Sequence, residues 1–175
     1  MLAAGSALTH DGNVSRAACD GLRALYAATD GARWRRNDGW MGDTHCCTPP
    51  WFGLNCTKGE PTELDLGVNG LAGTLPSEVI KLTSLQRLVL YNTSLSGTIP
   101  SEVGTLTSLM ELDLHNTSLS GTTPSEVSKL TSLQVLELYF TSLSGTLPSE
   151  VGTLTSLQVL NLGSTSLSGT VPSEV

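Results

Sequence analysis

The side chains of this 175-residue chain that could carry chemistry gather at four positions of a repeated stretch. In register they are Arg87, Glu111, Val135 and Val159; then Val89, Asp113, Glu137 and Asn161; then Tyr91, His115, Tyr139 and Gly163; and last Asn92, Asn116, Phe140 and Ser164. Asp113 and Glu137 share a column, and on neighbouring strands their carboxylates would stand about 5 Å apart, near the separation found in retaining glycosidases. His115 lies two residues beyond Asp113. Hydrolysis of that kind also needs a cleft that excludes water and a carboxyl with a raised pKa, and an open sheet supplies neither by itself. Recognition suits these residue types better. Aromatic side chains and Arg anchor interfaces, and here two Tyr, a Phe, an Arg, a His and several carboxylates replace the small polar fillers seen at Ser94, Ser118, Ser142 and Ser166. The members of these columns other than Gly163 and Ser164 are therefore candidate ligand-binding residues, with His115 a contact residue rather than a base. No catalytic residue, metal ligand or cofactor site is expected.

The elements that must position these columns follow from a period. Leu85, Leu109, Leu133 and Leu157 recur every 24 residues, and each opens a near-copy of LQRLVLYNTSLSGTIPSEVGTLTS; a degenerate earlier copy begins near Glu63. The alternation within L-x-x-L-x-L, as at Leu88 and Leu90, is that of a strand with its leucines turned inward. One such strand cannot bury its apolar face alone, but copies stacked at about 4.8 Å form a parallel sheet over a continuous core. Leu95, Leu119, Leu143 and Leu167 extend that core, and Gly97, Gly121, Gly145 and Gly169 stand where the chain must bend. Pro100 and Ser101 then lead into a short helical turn with Glu102 near its start, where negative charge is favoured. The first three columns alternate with the buried leucines and so share the exposed strand face, and the fourth lies at its edge. The turn and opposite-side text barely varies between copies while these columns do. Diversity confined to one face marks a diversified recognition surface. The pairs Ile80-Lys81 and Ser128-Lys129 alternate with Gly104-Thr105 and Gly152-Thr153, which suggests duplication by two-repeat cassettes.

Composition bounds the remaining possibilities. A chain that is 39% hydrophobic fits one folded domain, and a net charge of −7 with only nine Lys and Arg gives no phosphate-binding surface for nucleic acid. No apolar run approaches the roughly 20 residues of a membrane span, and Met1 to His10 lacks the basic start and apolar core of a secretion signal. Cys19, Cys46, Cys47 and Cys56 all fall early in the chain. Four cysteines allow three pairings, and the adjacent Cys46 and Cys47 are too constrained to bond each other, so each reaches outward. Disulfides suit this spacing better than zinc, which favours paired C-x-x-C clips.

From Pro61 to Val175 the text closely resembles the plant-type leucine-rich repeat, L-x-x-L-x-L-x-x-N-x-L-S-G-x-I-P. The resemblance implies an α/β repeat solenoid: a right-handed coil with a parallel sheet on the concave face, short helical turns on the convex face and a helical, disulfide-bonded N-terminal cap. Residues 1–60 would form the cap and 61–175 the repeats, the last incomplete. In the cap, Ser15 can start a helix running to about Ala28, with Cys19, Leu22 and Tyr26 on one face and Gly31 past its end. Trp34, Trp40 and the segment WFGLNC look like the Trp-x-Gly-x-x-Cys cap of plant and algal repeat proteins, such as receptor ectodomains and polygalacturonase-inhibitor-like proteins. This implies pairing of Cys19 with Cys46 and of Cys47 with Cys56, and a structural role for the three tryptophans. One departure is that the family's buried Asn survives only as Asn69 and becomes Thr93, Thr117, Thr141 and Thr165, whose hydroxyls can make some of the same bonds. The partners implied are a protein or glycan bound on the concave face, in a secreted or extracellular, receptor-like or immune setting.

A second function class comes from the threonines. Thr74, Thr98, Thr122, Thr146 and Thr170 form a regular ladder that could order water on a flat solenoid face, the requirement of an ice-binding protein. The ladder of Glu78, Glu102, Glu126, Glu150 and Glu174 reads as helix-start chemistry. Glycosylation sequons stand at Asn13, Asn92 and Asn116, and at Asn55 beside a cysteine, the least favourable of the four. Ending midway through a repeat at Val175, the last coil would expose leucines, so further repeats or end-to-end self-association are expected.

Overall fold

A computed structural model describes residues 11–42 and 45–170. The helix α1 spans Asp11–Ala28. It begins four residues before Ser15, so Ser15 lies inside the helix rather than at its start. The helix ends at Thr29, whose N–H and hydroxyl both donate to the Leu25 carbonyl at 3.0 and 2.7 Å, and Asp30 then turns the chain in the left-handed region, φ 55°. Gly31 follows because there is no room for a side chain: a Cβ there would lie 2.2 Å from the Tyr26 ring.

The cap is an aromatic cluster. Trp34, Trp40 and Trp51 are buried, with Trp40 4.8 Å from Trp34 and 5.2 Å from Trp51 between ring centroids. This fits the structural role expected of them. The Trp34 indole N–H donates to Thr29 O and that of Trp40 to Phe52 O, both at 2.9 Å. Disulfides join Cys19 to Cys46 and Cys47 to Cys56, the pairing implied by the family resemblance.

Eleven strands follow among the described residues: β1 (Leu54–Thr57), β2 (Glu60–Asp65), β3 (Ala72–Thr74), β4 (Arg87–Val89), β5 (Ser94–Gly97), β6 (Glu111–Asp113), β7 (Ser118–Gly121), β8 (Val135–Glu137), β9 (Ser142–Thr146), β10 (Val159–Asn161) and β11 (Ser166–Ser168). β1 and β2 form an antiparallel hairpin, turned by Lys58 and Gly59, both at positive φ. The concave sheet has the order β1-β2-β4-β6-β8-β10, parallel from β2 onward, and β3, β5, β7, β9 and β11 make a second sheet on the outer side of each turn. Register is set by the leucines: Leu64, Leu88, Leu112, Leu136 and Leu160 pair in succession. All but the last are fully buried, each contributing on the order of 1.5–3 kcal/mol relative to exposure. Between the sheets, the segments Ser77–Lys81, Ser101–Thr105, Ser125–Lys129 and Ser149–Thr153 are single 3-10 turns after a Pro, each with its Glu in the first turn.

The cap docks on the first coil through main-chain bonds. Asn69 accepts from Arg36 N and donates to Arg36 O, both at 2.8 Å, and Ala72 N donates to Thr29 O at 3.1 Å. The one Asn retained from the family pattern thus serves the cap. In the other coils the Thr hydroxyl donates three residues back: Thr93 to Leu90 O, Thr117 to Leu114 O, Thr141 to Leu138 O and Thr165 to Leu162 O, at 2.8–2.9 Å.

Candidate binding face

The strands bring the first three columns to one face in register: Arg87 beside Glu111 beside Val135 beside Val159, and Asp113 beside Glu137 beside Asn161. The degenerate first copy adds members not singled out from the sequence, because Glu63 precedes Arg87 and Asp65 precedes Val89 on the neighbouring strand. Their place was visible in the alignment of ELDLGVNG with the later copies.

The first column is an ion-pair chain. Arg87 donates through Nε to Glu111 Oε2 at 2.7 Å and through a terminal nitrogen to Oε1 at 3.3 Å, and Glu63 stands 3.6 Å away on the other side. The bond to Glu111, aided by the Glu111, Glu63 and Asp65 charges and opposed by lost hydration, raises the Arg87 pKa above its ordinary value. Half-exposed, this chain contributes little to stability, about 0–1 kcal/mol, but it leaves Arg87 already partnered. Val89, expected among the exposed ligand contacts, is instead 3% exposed. It is a short side chain set between Asp65 and Asp113 along the sheet and between Arg87 and Tyr91 along its own segment.

The second column follows a rule of side-chain length. Asp65, Asp113 and Asn161 each use Oδ1 to accept the N–H two residues ahead, from Gly67, His115 and Gly163, at 3.1–3.2 Å. Glu137 is one methylene longer and makes no such bond, and its Oε2 is buried without a hydrogen-bond partner. Asp113 Oδ1 also lies 2.6 Å from His115 Nδ1. Asp113 and Glu137 are therefore side by side in different roles: one orients an imidazole, the other is uncommitted.

The third column is a stack of rings. Tyr91, His115 and Tyr139 lie with centroids 4.7 and 4.3 Å apart and planes within 9°. Lost hydration, then the charges of Glu137 and Asp113, raises the Tyr139 phenol pKa. In the fourth column Asn92, Asn116, Phe140 and Ser164 are all exposed, and all have φ of 52–54°. That conformation suits Asn and strains Phe. Asn116 donates to the Asn92 side chain across the coils. Phe140 is 58% exposed, edge-on to Tyr139 at 5.5 Å. The sequons at Asn92 and Asn116 thus stand on this rim; Asn13 lies within α1, with its side chain outside the described residues.

A family profile described as a leucine-rich repeat region matches residues 64–162, and one for the single leucine-rich repeat matches 156–175. The chain belongs to the leucine-rich-repeat family. Its repeats are of the plant type, and among solved structures this leucine-rich-repeat chain is similar to one in the BIR3–SERK2 complex from Arabidopsis thaliana, at 31% identity over 91% of this chain and 87% of that one, TM-score 0.75. It resembles the plant peptide hormone receptor RGFR1 in complex with RGF2, at 38% identity over 65% of this chain and 18% of that one, TM-score 0.61. It also resembles a plant ice-binding protein, at 26% identity over 91% and 59%, TM-score 0.65. No curated protein sequence matches the chain.

Proposed function

We propose that this leucine-rich-repeat chain is a non-catalytic, extracellular recognition protein that binds a protein or peptide on its concave face, between Glu63 and Ser164. The observation that carries the reading is the Tyr91–His115–Tyr139 stack, standing on the face where the copies differ. Rings already ordered by stacking lose little freedom on binding and line up their edges as a preformed aromatic row of the residue types that anchor interfaces. The disulfide-bonded cap suits an oxidising compartment, and among the described residues no helix is long and apolar enough to cross a membrane. The solved relatives include a protein–protein complex and a peptide hormone receptor, which supports a polypeptide ligand over a glycan. The test is a binding screen against secreted proteins, peptides and glycans, comparing the native chain with Tyr91→Ala/Tyr139→Ala/Phe140→Ala. Ligands lost by the triple variant support the face, and an unchanged ligand profile contradicts it.

One observation favours a second reading. Thr74, Thr98, Thr122 and Thr146 are exposed on or beside the strands of the outer sheet, in a ladder that runs coil to coil, and a plant ice-binding protein is among the similar structures. Thermal hysteresis or recrystallisation inhibition by the native chain, abolished by Thr98→Ala/Thr122→Ala, would establish it.

A further inference from the structure

The ring stack is closed at one end and open at the other. At the first coil Tyr91 packs directly on Gly67, where a Cβ would lie 2.5 Å from the ring. At the far end the column continues to Gly163, and no ring stands there. A Cβ on Gly163 would meet nothing nearer than Asn161 Oδ1 at 3.5 Å and the Tyr139 Cβ at 4.0 Å. Tyr139 therefore has His115 against one face, and the place of a fourth ring lies vacant on the side of the next coil. Phe140, exposed and edge-on to Tyr139, is tied to Gly163 by its N–H, which donates to the Gly163 carbonyl at 2.9 Å.

Two residues before Tyr139, between Asp113 and Asn161 on the neighbouring strands, Glu137 holds a carboxylate oxygen that no group among the described residues satisfies, a costly state for a buried acceptor. Charge also points to a cation. Residues 1–60 carry six acids and six Lys or Arg, whereas residues 61–175 carry ten acids and three, so the net −7 belongs to the repeats. Arg87, the arginine of the concave columns, is already held by Glu111 and Glu63. A group that lies flat on Tyr139, carries positive charge and donates to a carboxylate is a guanidinium: it is planar, has five N–H donors and stacks on aromatic faces. An ammonium lacks the plane, and a sugar ring lacks the charge.

We propose that the slot between Tyr139 and Gly163 receives an arginine side chain of a basic peptide, its guanidinium stacked on Tyr139 and donating to Glu137. This rests on the concave-face reading and goes further by naming the chemistry of the ligand. The test is calorimetric titration of the full chain with hexa-arginine, hexalysine and cellohexaose at physiological salt. Hexa-arginine should bind about tenfold more tightly than hexalysine and more tightly than cellohexaose, and Gly163→Tyr, which fills the slot, and Glu137→Gln should each weaken it about tenfold. Gly163 is outside the left-handed region and shares its column with two tyrosines, so the Tyr variant keeps a compatible backbone; should it melt early, the near-isosteric Glu137→Gln carries the test. No binding of hexa-arginine, equal binding of hexalysine, or stronger binding of cellohexaose overturns the proposal. If both slot variants bind as the native chain does while Tyr91→Ala weakens binding, the slot is wrong and the concave face stands. If Tyr91→Ala is also silent, both fall.

Discussion

The ring of His115 lies 4.3 Å from that of Tyr139 with the planes 9° apart, while its Nδ1 stands 2.6 Å from Asp113 Oδ1. One side chain thus joins two columns and three coils: the carboxylate fixes the imidazole, and the imidazole fixes a tyrosine on each side. The order of the concave face depends on that junction.

Replacing His115 by Ala removes two ring contacts, each worth about 0.5–1.5 kcal/mol, so urea denaturation should show a loss of about 2 kcal/mol. His115→Phe keeps the stacking and leaves Asp113 without its imidazole, and should lose about half as much. Equal losses in the two variants would mean that stacking contributes nothing.

Phe140 has φ of 54° and is 58% exposed. Backbone preference does not explain a large apolar residue there, and the proposed binding face gives it a ligand-contact role. Phe140→Asn should raise stability by about 1 kcal/mol, as Asn adopts this conformation readily, while weakening ligand binding. A variant that loses stability would show that Phe140 is a packing residue.

Much of this was legible in the sequence because a period of 24 residues repeats the same physical problem, so the place of Leu88 dictates that of Leu112 and Leu136. The cysteine pairing was legible through the family's cap. What was not legible depends on single side-chain lengths and local backbone. Val89 is apolar and short in a row of acids and is buried, which no pattern announces. Ser15 has the chemistry of a cap, but the helix begins at Asp11. Asn69 matches the family's turn residue, yet its bonds run to Arg36, 33 positions back in the chain. The shared positive φ of Asn92, Asn116, Phe140 and Ser164 was hidden because only two of the four are residues that favour it.

The two disulfides should differ in what they contribute. Cys19–Cys46 spans 27 residues and Cys47–Cys56 spans 9, so loop-closure entropy assigns them about 3.6 and 2.7 kcal/mol. Chemical denaturation of Cys19→Ser/Cys46→Ser and Cys47→Ser/Cys56→Ser should rank them in that order. The reverse ranking would place the weight of the cap on the Cys47–Cys56 loop.

Tyr139 keeps its proton to higher pH in the folded chain than its ordinary value of 10.0, because of lost hydration first and the charges of Glu137 and Asp113 second. The folded state therefore holds the proton more tightly than the unfolded one, and this contribution to stability is full below about pH 10 and declines as pH rises through the folded pKa. Glu137→Gln removes one of the two charges and should move the Tyr139 midpoint back toward the ordinary value, read by NMR titration of the ring. No movement would show that Glu137 lies too far away to act on the ring.

The most direct test of a concave binding face is amide hydrogen exchange of the chain with and without a ligand found in the binding screen. Protection should rise over residues 87–92, 111–116 and 135–140 and stay unchanged at Thr74, Thr98 and Thr122. Protection confined to those threonines, with the stacked rings exchanging as before, would contradict it.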